Sequence, residues 1–220
     1  MDIIFSGFSL RRPILARLLA AVLAIIGWSA MAIDFHYVAA RHHPVRIAHV
    51  IVTFLSFFTI ISNLLVAIIL TASALRPPER RSRLESLAAP AVVYILVTGV
   101  IYTLLLRQSH TTLMGWMDDA ALHVVIPVGY PLFWLMMMPR RRLARRDAFV
   151  WLLLPLLFAV ASIVRGEMTG ECTYFFLNPH SLGYVRVVLA VALLSVMFLV
   201  FGFIVVAINQ IAVKDKDAIP

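Results

Sequence analysis

The chain consists of six long apolar runs separated by short polar segments. A helix needs about 20 residues to cross the roughly 30 Å hydrocarbon layer of a bilayer. Leu, Ile, Val, Ala and Phe fill the runs without strict alternation, which favours helices over the strands of a barrel. The runs cover residues 14–33, 48–72, 88–106, 120–138, 148–164 and 184–209. The pattern predicts an all-α integral membrane bundle of six transmembrane helices, forming a single domain over residues 1–220.

Composition and charge agree with this fold and predict its orientation. Hydrophobic residues make up 62% of the chain and charged residues 14%, against roughly 45–50% and about 25% in soluble proteins. The net charge of +8 does not indicate nucleic-acid binding, because the basic residues cluster between the apolar runs. If the helices alternate in direction, fourteen of the nineteen Lys and Arg residues fall on one side. This asymmetry predicts that both termini are cytoplasmic.

The first run shares two features with a signal peptide, a basic start at Arg11 and Arg12 and an Ala-x-Ala at Ala30 to Ala32. Its apolar stretch is about 20 residues, longer than the 7–15 of a signal h-region. We therefore expect a retained transmembrane helix.

Titratable residues gather on the predicted outer side. All seven histidines and five acidic residues lie there or near it. Histidine is the commonest metal ligand, so a metal-binding membrane protein is one interpretation. However, no histidine pair has the spacing of a strong metal site, and the single cysteine, Cys172, excludes a Cys-rich cluster. We expect neither a metal nor another cofactor.

The second run carries a stripe of polar residues on one helical face. Ser56, Thr59 and Ser62 recur every third residue, and Asn63 follows Thr59 by four. Small polar residues of this kind favour close helix packing, which is one interpretation. The carboxamide of Asn63 needs a partner within the membrane, which favours a functional site as the other.

The fourth run begins with a carboxylate and a histidine at helical spacing. Asp119 and His123 are four residues apart, so the carboxylate can orient the imidazole and fix its tautomer. Pro127 removes the backbone hydrogen bond to the carbonyl of His123 and loosens the helix there. Ionisable groups inside a membrane are candidate functional residues.

The connection between the fifth and sixth runs combines charge with aromatic residues. Arg165 lies at the membrane surface next to a glycine, and Tyr174 and Phe176 suit the interface. Two interpretations stay open, a loop in the aromatic belt and an apolar lid that lines an outward cleft.

Three of these motifs occur in a familiar order. A threonine midway along the second run, a histidine entering the fourth with a proline four residues on, and a Tyr-x-Phe-Leu loop before the sixth resemble the androgen-induced protein family. That family includes the androgen-dependent TFPI-regulating protein and bacterial relatives. The likeness covers residues 57–206 and depends on the order and spacing of short motifs.

The resemblance implies a function and a site. Family members in animals are multipass threonine hydrolases that cleave fatty acid esters of hydroxy fatty acids. By position, the nucleophile falls on Thr59 and the essential histidine on His123. The implied partners are membrane lipids and a lipid-ester substrate, and the implied location is the inner membrane of a bacterium. Further matches are Ser62-Asn63, Arg165-Gly166 and Thr169-Gly170, whereas Tyr174-Phe175-Phe176 departs from the family's usual Tyr-Pro-Phe.

The implied chemistry makes demands on the fold. A threonine hydroxyl is a poor nucleophile until a neighbouring base takes its proton, and neutral imidazole can do this. Asn63 and Ser62 are the nearest candidates for oxyanion donors, and Asp119 for orienting His123. On the predicted boundaries, Thr59 lies about two turns deeper than His123, so a tilt or a different helix boundary must bring them together.

Two other classes of protein stay open beside the hydrolase. One is a small transporter or a structural partner in a bundle, although the sequence shows neither broken helices nor repeat symmetry, which transporters usually have. The other is a metal-binding membrane protein with its site on the outer face.

Overall fold

The computed structural model describes residues 2–41, 46–75, 86–107, 109–138 and 142–217, with side chains for those between 14 and 213. Within these ranges the chain is almost entirely helical and contains no strand. Six helical segments are long and apolar enough to cross a membrane. The predicted all-α membrane fold of six spans is therefore confirmed. Some residues of the predicted loops lie outside the described ranges, namely two of the seven histidines (His42 and His43), the prolines that follow the second and fourth runs (Pro77-Pro78 and Pro139), and Arg140 and Arg141 of the basic cluster after the fourth run.

Nine helices are numbered here in chain order. They are α1 (Asp2–Ala40), α2 (Ile47–Leu55), α3 (Phe58–Leu75), α4 (Ala88–Leu106), α5 (Leu113–Met137), α6 (Arg145–Trp151), α7 (Leu153–Thr169), α8 (Pro179–Leu182) and α9 (Tyr184–Asp217). Two π-helical turns interrupt this pattern, at Tyr102–Leu106 in α4 and at Ala121–Val125 in α5.

Two predicted runs each form two helices in the structure, and one of them is the run over residues 148–164, which divides at Leu152 into α6 and α7. The run over residues 48–72 was predicted as a single helix, but it forms α2 and α3 with a break at residues 56–57. The run over 88–106 has the predicted bounds. The first and last helices of the chain, α1 and α9, extend beyond the predicted runs 14–33 and 184–209. Polar and charged residues at a membrane surface continue a helix readily, so the apolar runs mark the spans rather than the full helices.

The chain divides into two compact units. The first contains residues 1–54 and 59–139, and the buried side chains of its helices α1, α3, α4 and α5 are mostly aliphatic, with Tyr130 fully buried in α5. The Tyr130 phenol donates to the carbonyl of Ala88 at 3.0 Å, and Trp28 donates to Thr71 Oγ1 at 3.0 Å. Since apolar lipid gives little drive for helices to associate, such hydrogen bonds and small residues at close crossings hold the helices together.

The second unit contains residues 55–58 and 140–220. A Cβ added at Gly202 in α9 would lie 3.0 Å from the Cβ of Ala148 in α6, so a glycine permits this close crossing. Helix α7 ends at Gly170, whose φ of 74° is a left-handed conformation that glycine adopts without strain. Gln210 donates to the carbonyl of Leu143 at 3.0 Å and ties the end of α9 to the segment before α6.

Candidate functional site

The break between α2 and α3 places Thr59 in the first turn of a helix. The backbone N–H of Phe58 donates to the phenol oxygen of Tyr174 at 2.9 Å, where a continuous helix would use the carbonyl four residues earlier. The Phe58 ring packs edge-on against Phe158 and Phe198, with centroids 5.2 and 5.6 Å away. The chain between α2 and α3 therefore contacts a phenol and an aromatic cluster, and it contains no proline or glycine.

Thr59 is the second residue of α3 and is half-buried. Among the described residues, its hydroxyl has no hydrogen-bond partner. Its carbonyl accepts from Ser62 Oγ at 3.0 Å and from Asn63 Nδ2 at 2.9 Å. The backbone N–H groups of Thr59 and Ile60 have no acceptor within α3. In an α-helix each N–H donates to the carbonyl four residues earlier, and for the first turn that carbonyl lies before the helix. The side chain thus sits at a helix N-terminus, where the backbone carries a partial positive charge.

His123 is held in one orientation by Asp119. Its Nδ1 lies 3.1 Å from Asp119 Oδ1 and 3.1 Å from the Asp119 carbonyl oxygen. Both partners are acceptors, so Nδ1 carries the proton of the neutral ring and Nε2 keeps its lone pair. The imidazole stacks on Tyr102 with centroids 3.5 Å apart and an angle of 14° between the rings. The predicted contact between Asp119 and His123 is present.

The π-helical turn that contains His123 has an unusual pattern of backbone hydrogen bonds. The N–H of Ile126 donates to Ala121, five residues back, whereas an α-helix would use Leu122. The freed carbonyl of Leu122 accepts from Asn63 Nδ2 at 3.2 Å. Pro127 has no N–H, so the carbonyl of His123 lacks its α-helical donor as well. A side chain from α3 thus completes a turn of α5.

One nitrogen atom links the turn that bears Thr59 to the turn that bears His123. Asn63 Nδ2 lies within 3.2 Å of the carbonyl of Thr59 and of the carbonyl of Leu122, the residue before His123. The sequence boundaries placed Thr59 about two turns deeper than His123. Through Asn63, the second turn of α3 contacts the π-helical turn in α5.

The hydrogen bonds of Asn63 and Ser62 correct one expectation. The two N–H bonds of Asn63 serve two carbonyls, and the Ser62 hydroxyl is engaged by the Thr59 carbonyl and by Thr98 Oγ1 at 3.0 Å. Neither side chain has a hydrogen left for an oxyanion. Asn63 is 1% exposed, and its Oδ1 has no partner among the described residues. It therefore offers an acceptor to the site, where the sequence suggested a donor.

Three residues of α4 join the site without having been predicted. Thr98 pairs with Ser62, Tyr102 stacks on His123, and a Cβ added at Gly99 would lie 2.9 Å from Pro127 Cβ and 3.3 Å from the His123 carbonyl. The signal in the sequence was a small cluster of polar and glycine positions at helical spacing in an otherwise apolar run. Asp118, one residue before Asp119, is 8% exposed, and its Oδ1 lacks a partner within the described ranges.

The predicted loop residues Arg165, Tyr174 and Phe176 belong to the second compact unit. The Arg165 guanidinium binds the carboxylate and the carbonyl of Glu171, which closes the turn after α7. Tyr174 stacks on Phe176, with centroids 5.1 Å apart and rings at 18°. The contacts of Arg165 with Glu171 and of Tyr174 with Phe176 lie within this loop. The role of the loop as a lid stays a prediction.

In the part of the chain that the structure describes, no group of three His, Cys, Asp or Glu side chains is placed to hold a metal ion. Comparison of the chain with protein-family models, with curated proteins and with solved structures found no match.

Proposed function

We propose that this membrane protein is a hydrolase of lipid esters that uses Thr59 as its nucleophile and His123 as its base. The observation that carries the proposal is the orientation of His123, with Nδ1 held by Asp119 and Nε2 left as a proton acceptor. The hydrogen bonds of Asn63 to the carbonyls of Thr59 and Leu122 support this pairing, because they join the turn that bears Thr59 to the turn that bears His123. The resemblance of the sequence to the androgen-induced protein family supports the same pair.

The proposed reaction has two steps. In the first, His123 Nε2 takes the proton of the Thr59 hydroxyl as Oγ1 attacks the ester carbonyl carbon, and the imidazolium then protonates the departing alcohol. This leaves an acyl-threonine. In the second, His123 removes a proton from water, the hydroxide attacks the acyl carbon, and the imidazolium returns its proton to Thr59 as the fatty acid leaves. Asp119 keeps the imidazole in the productive tautomer throughout.

The start of α3 is the proposed site of oxyanion stabilisation. The backbone N–H groups of Thr59 and Ile60 lack acceptors within α3, and the helix dipole favours negative charge at that end. A donor of this kind contributes about 2.7–4 kcal/mol to the transition state in a dry site. This replaces the side chains of Asn63 and Ser62 in that role.

The surroundings favour a lipid substrate. The first unit exposes many large apolar side chains along its spans, as a chain in contact with lipid does, so an ester can enter laterally from the membrane. Fatty acid esters of hydroxy fatty acids are the substrate class that the family resemblance implies. We further propose that both termini are cytoplasmic, that Thr59 and His123 face the outer side, and that the protein resides in a bacterial inner membrane.

The test is ester hydrolysis by the protein purified in detergent. Wild type is compared with Thr59→Ala and His123→Ala on a panel of acyl esters. Thr71→Val is the control on the same helix, because Thr71 also bonds to a neighbouring helix but lies three turns further along α3. We expect both site variants to lose hydrolysis while Thr71→Val keeps it. Hydrolysis that survives in Thr59→Ala contradicts the proposal.

The break between α2 and α3 favours a second candidate. Discontinuous helices are typical of secondary transporters, in which the broken segment lines the substrate site. A transporter predicts substrate flux into proteoliposomes that survives Thr59→Ala, whereas a hydrolase predicts release of free fatty acid that does not.

A further inference from the structure

Asn63 supplies the hydrogen bond that the π-helical turn of α5 lacks. We infer that Asn63 is a positioning residue: its amide stabilises the turn that presents His123 and sets the register of that turn against Thr59. The consequence for turnover rests on the proposed hydrolase function, whereas the effect on His123 does not.

The backbone of α5 explains why the turn depends on a side chain. Because Ile126 donates to Ala121, the carbonyl of Leu122 has no backbone donor. Within a membrane there is little water to satisfy such a group, so an unpaired carbonyl strongly disfavours the turn. Asn63 Nδ2 fills this position at 3.2 Å. Without it, the turn would shift toward α-helical bonding and rotate His123 relative to Asp119 and Tyr102.

The orientation of the carboxamide is fixed by its partners. Two carbonyl oxygens face the same atom of Asn63, so that atom is the nitrogen, since an oxygen there would meet two acceptors. An Asp side chain of the same shape presents an oxygen at this point. The inference therefore predicts that Asn63→Asp disturbs the turn although it preserves the volume of the side chain.

Thr71 is a useful comparison for Asn63, because its hydrogen bonds join two helices and involve no irregular turn. Its hydroxyl donates to the carbonyl of Ala67, four residues back, at 2.7 Å, and it accepts from Trp28 Nε1 of α1. Asn63 likewise bonds the carbonyl four residues back, but its second partner is a backbone carbonyl that a π-helical turn has released. Thr71→Val is therefore the matched control, since it removes bonds of the same kind far from His123.

The first measurement is NMR of protein labelled with ¹⁵N-histidine, with the His123 signals assigned from His123→Ala. We expect wild type to show a protonated Nδ1, an unprotonated Nε2, and ring protons shifted upfield by the stacked Tyr102. Asn63→Leu and Asn63→Asp should lose the upfield shift and mix the tautomers, while Thr71→Val keeps the wild-type signals. Wild-type His123 signals in a folded Asn63→Leu would overturn the inference.

A second measurement needs no variant and covers the case in which Asn63 variants fail to fold. Since both amide hydrogens of Asn63 are bonded to carbonyls and the residue is 1% exposed, we expect its side-chain amide to exchange with deuterium slowly in wild type. Exchange as fast as that of an exposed asparagine would contradict the inference.

Turnover separates this inference from the proposed function. If wild type hydrolyses esters, Asn63→Leu should lower kcat on the order of 10²-fold with little change in KM, as expected for a misplaced base. If wild type hydrolyses nothing but Asn63→Leu alters the His123 signals, the positioning role stands and the hydrolase falls. If Asn63→Leu keeps both kcat and the signals, the positioning role falls alone.

Discussion

At the scale of single residues, the structure assigns distinct tasks to polar groups that the sequence only located. The spacing of Asp119 and His123 predicted their contact, and the structure has it at 3.1 Å. The spacing of Thr59 and Asn63 predicted a common face, but the sequence could not show which atoms of Asn63 are engaged. The engaged atom is identified by two carbonyls, that of Thr59 in α3 and that of Leu122 in α5. The Leu122 carbonyl is available only because the π-helical turn leaves it without a backbone donor.

Asp119→Asn tests the orientation of the imidazole. An asparagine amide in place of the carboxylate can donate to Nδ1, which would move the ring proton to Nε2 and remove the base. The backbone carbonyl of residue 119 is kept in the variant and still favours the original tautomer. We therefore expect kcat to fall by roughly 10²-fold with an unchanged melting temperature. Unchanged kinetics would remove Asp119 from the mechanism but leave Thr59 and His123 in it.

At the scale of helices, the irregular segments are the parts that the sequence did not reveal. Six apolar runs predicted six spans, because hydropathy and length suffice to identify a membrane helix. The break at residues 56–57 has no proline or glycine to mark it. A tertiary contact lies at the break instead, because the N–H of Phe58 donates to the phenol oxygen of Tyr174. Pro127 did predict a weak point in α5, but the five-residue hydrogen bond there also depends on Asn63.

Gly99→Ala tests the close approach of α4 and α5. The added Cβ would lie 2.9 Å from Pro127 Cβ and 3.3 Å from the carbonyl of His123, so the two helices must move apart. We expect a loss of about 1–3 kcal/mol in the free energy of unfolding. Gly27→Ala is the control, since its Cβ would meet its nearest neighbours at 3.8 Å. Equal stability of the two variants in denaturant titrations would argue against a tight crossing.

Tyr174→Phe tests the contact that begins α3. The substitution keeps the ring and its stacking on Phe176 but removes the oxygen that accepts from the N–H of Phe58. Loss of one hydrogen bond costs about 0.5–1.5 kcal/mol, so we expect a lower midpoint of thermal unfolding. Tyr184→Phe, whose residue is 65% exposed, should change it little. A larger drop in the unfolding midpoint for Tyr184→Phe than for Tyr174→Phe would contradict the hydrogen bond between Tyr174 and Phe58.

At the scale of the whole molecule, the central expectation is an orientation with the site on the outer side. Six candidate spans predict that successive loops alternate between the two faces of the membrane. The bias of Lys and Arg then predicts which face is cytoplasmic. The native sequence offers a direct probe, because its one cysteine, Cys172, lies in the loop between α7 and α9 on the predicted outer side.

Labelling of Cys172 tests this orientation. The residue is partly exposed, so we expect a membrane-impermeant maleimide to modify it in intact spheroplasts. In a Cys172→Ser background, Lys214→Cys should react only after lysis, since the tail is predicted to be cytoplasmic. Labelling of the tail cysteine in intact cells, with Cys172 protected, would reverse the topology.

Trapping the acyl-enzyme tests the proposed mechanism at the reacting atom. Purified protein is mixed with an activated acyl ester, quenched in acid and digested, and the adduct is located by mass spectrometry. We expect an acyl group on Thr59 in wild type and in Thr71→Val, and none in His123→Ala. Ester hydrolysis accompanied by an adduct on another residue, or by an adduct on Thr59 that persists at the same level in His123→Ala, would contradict the proposed mechanism.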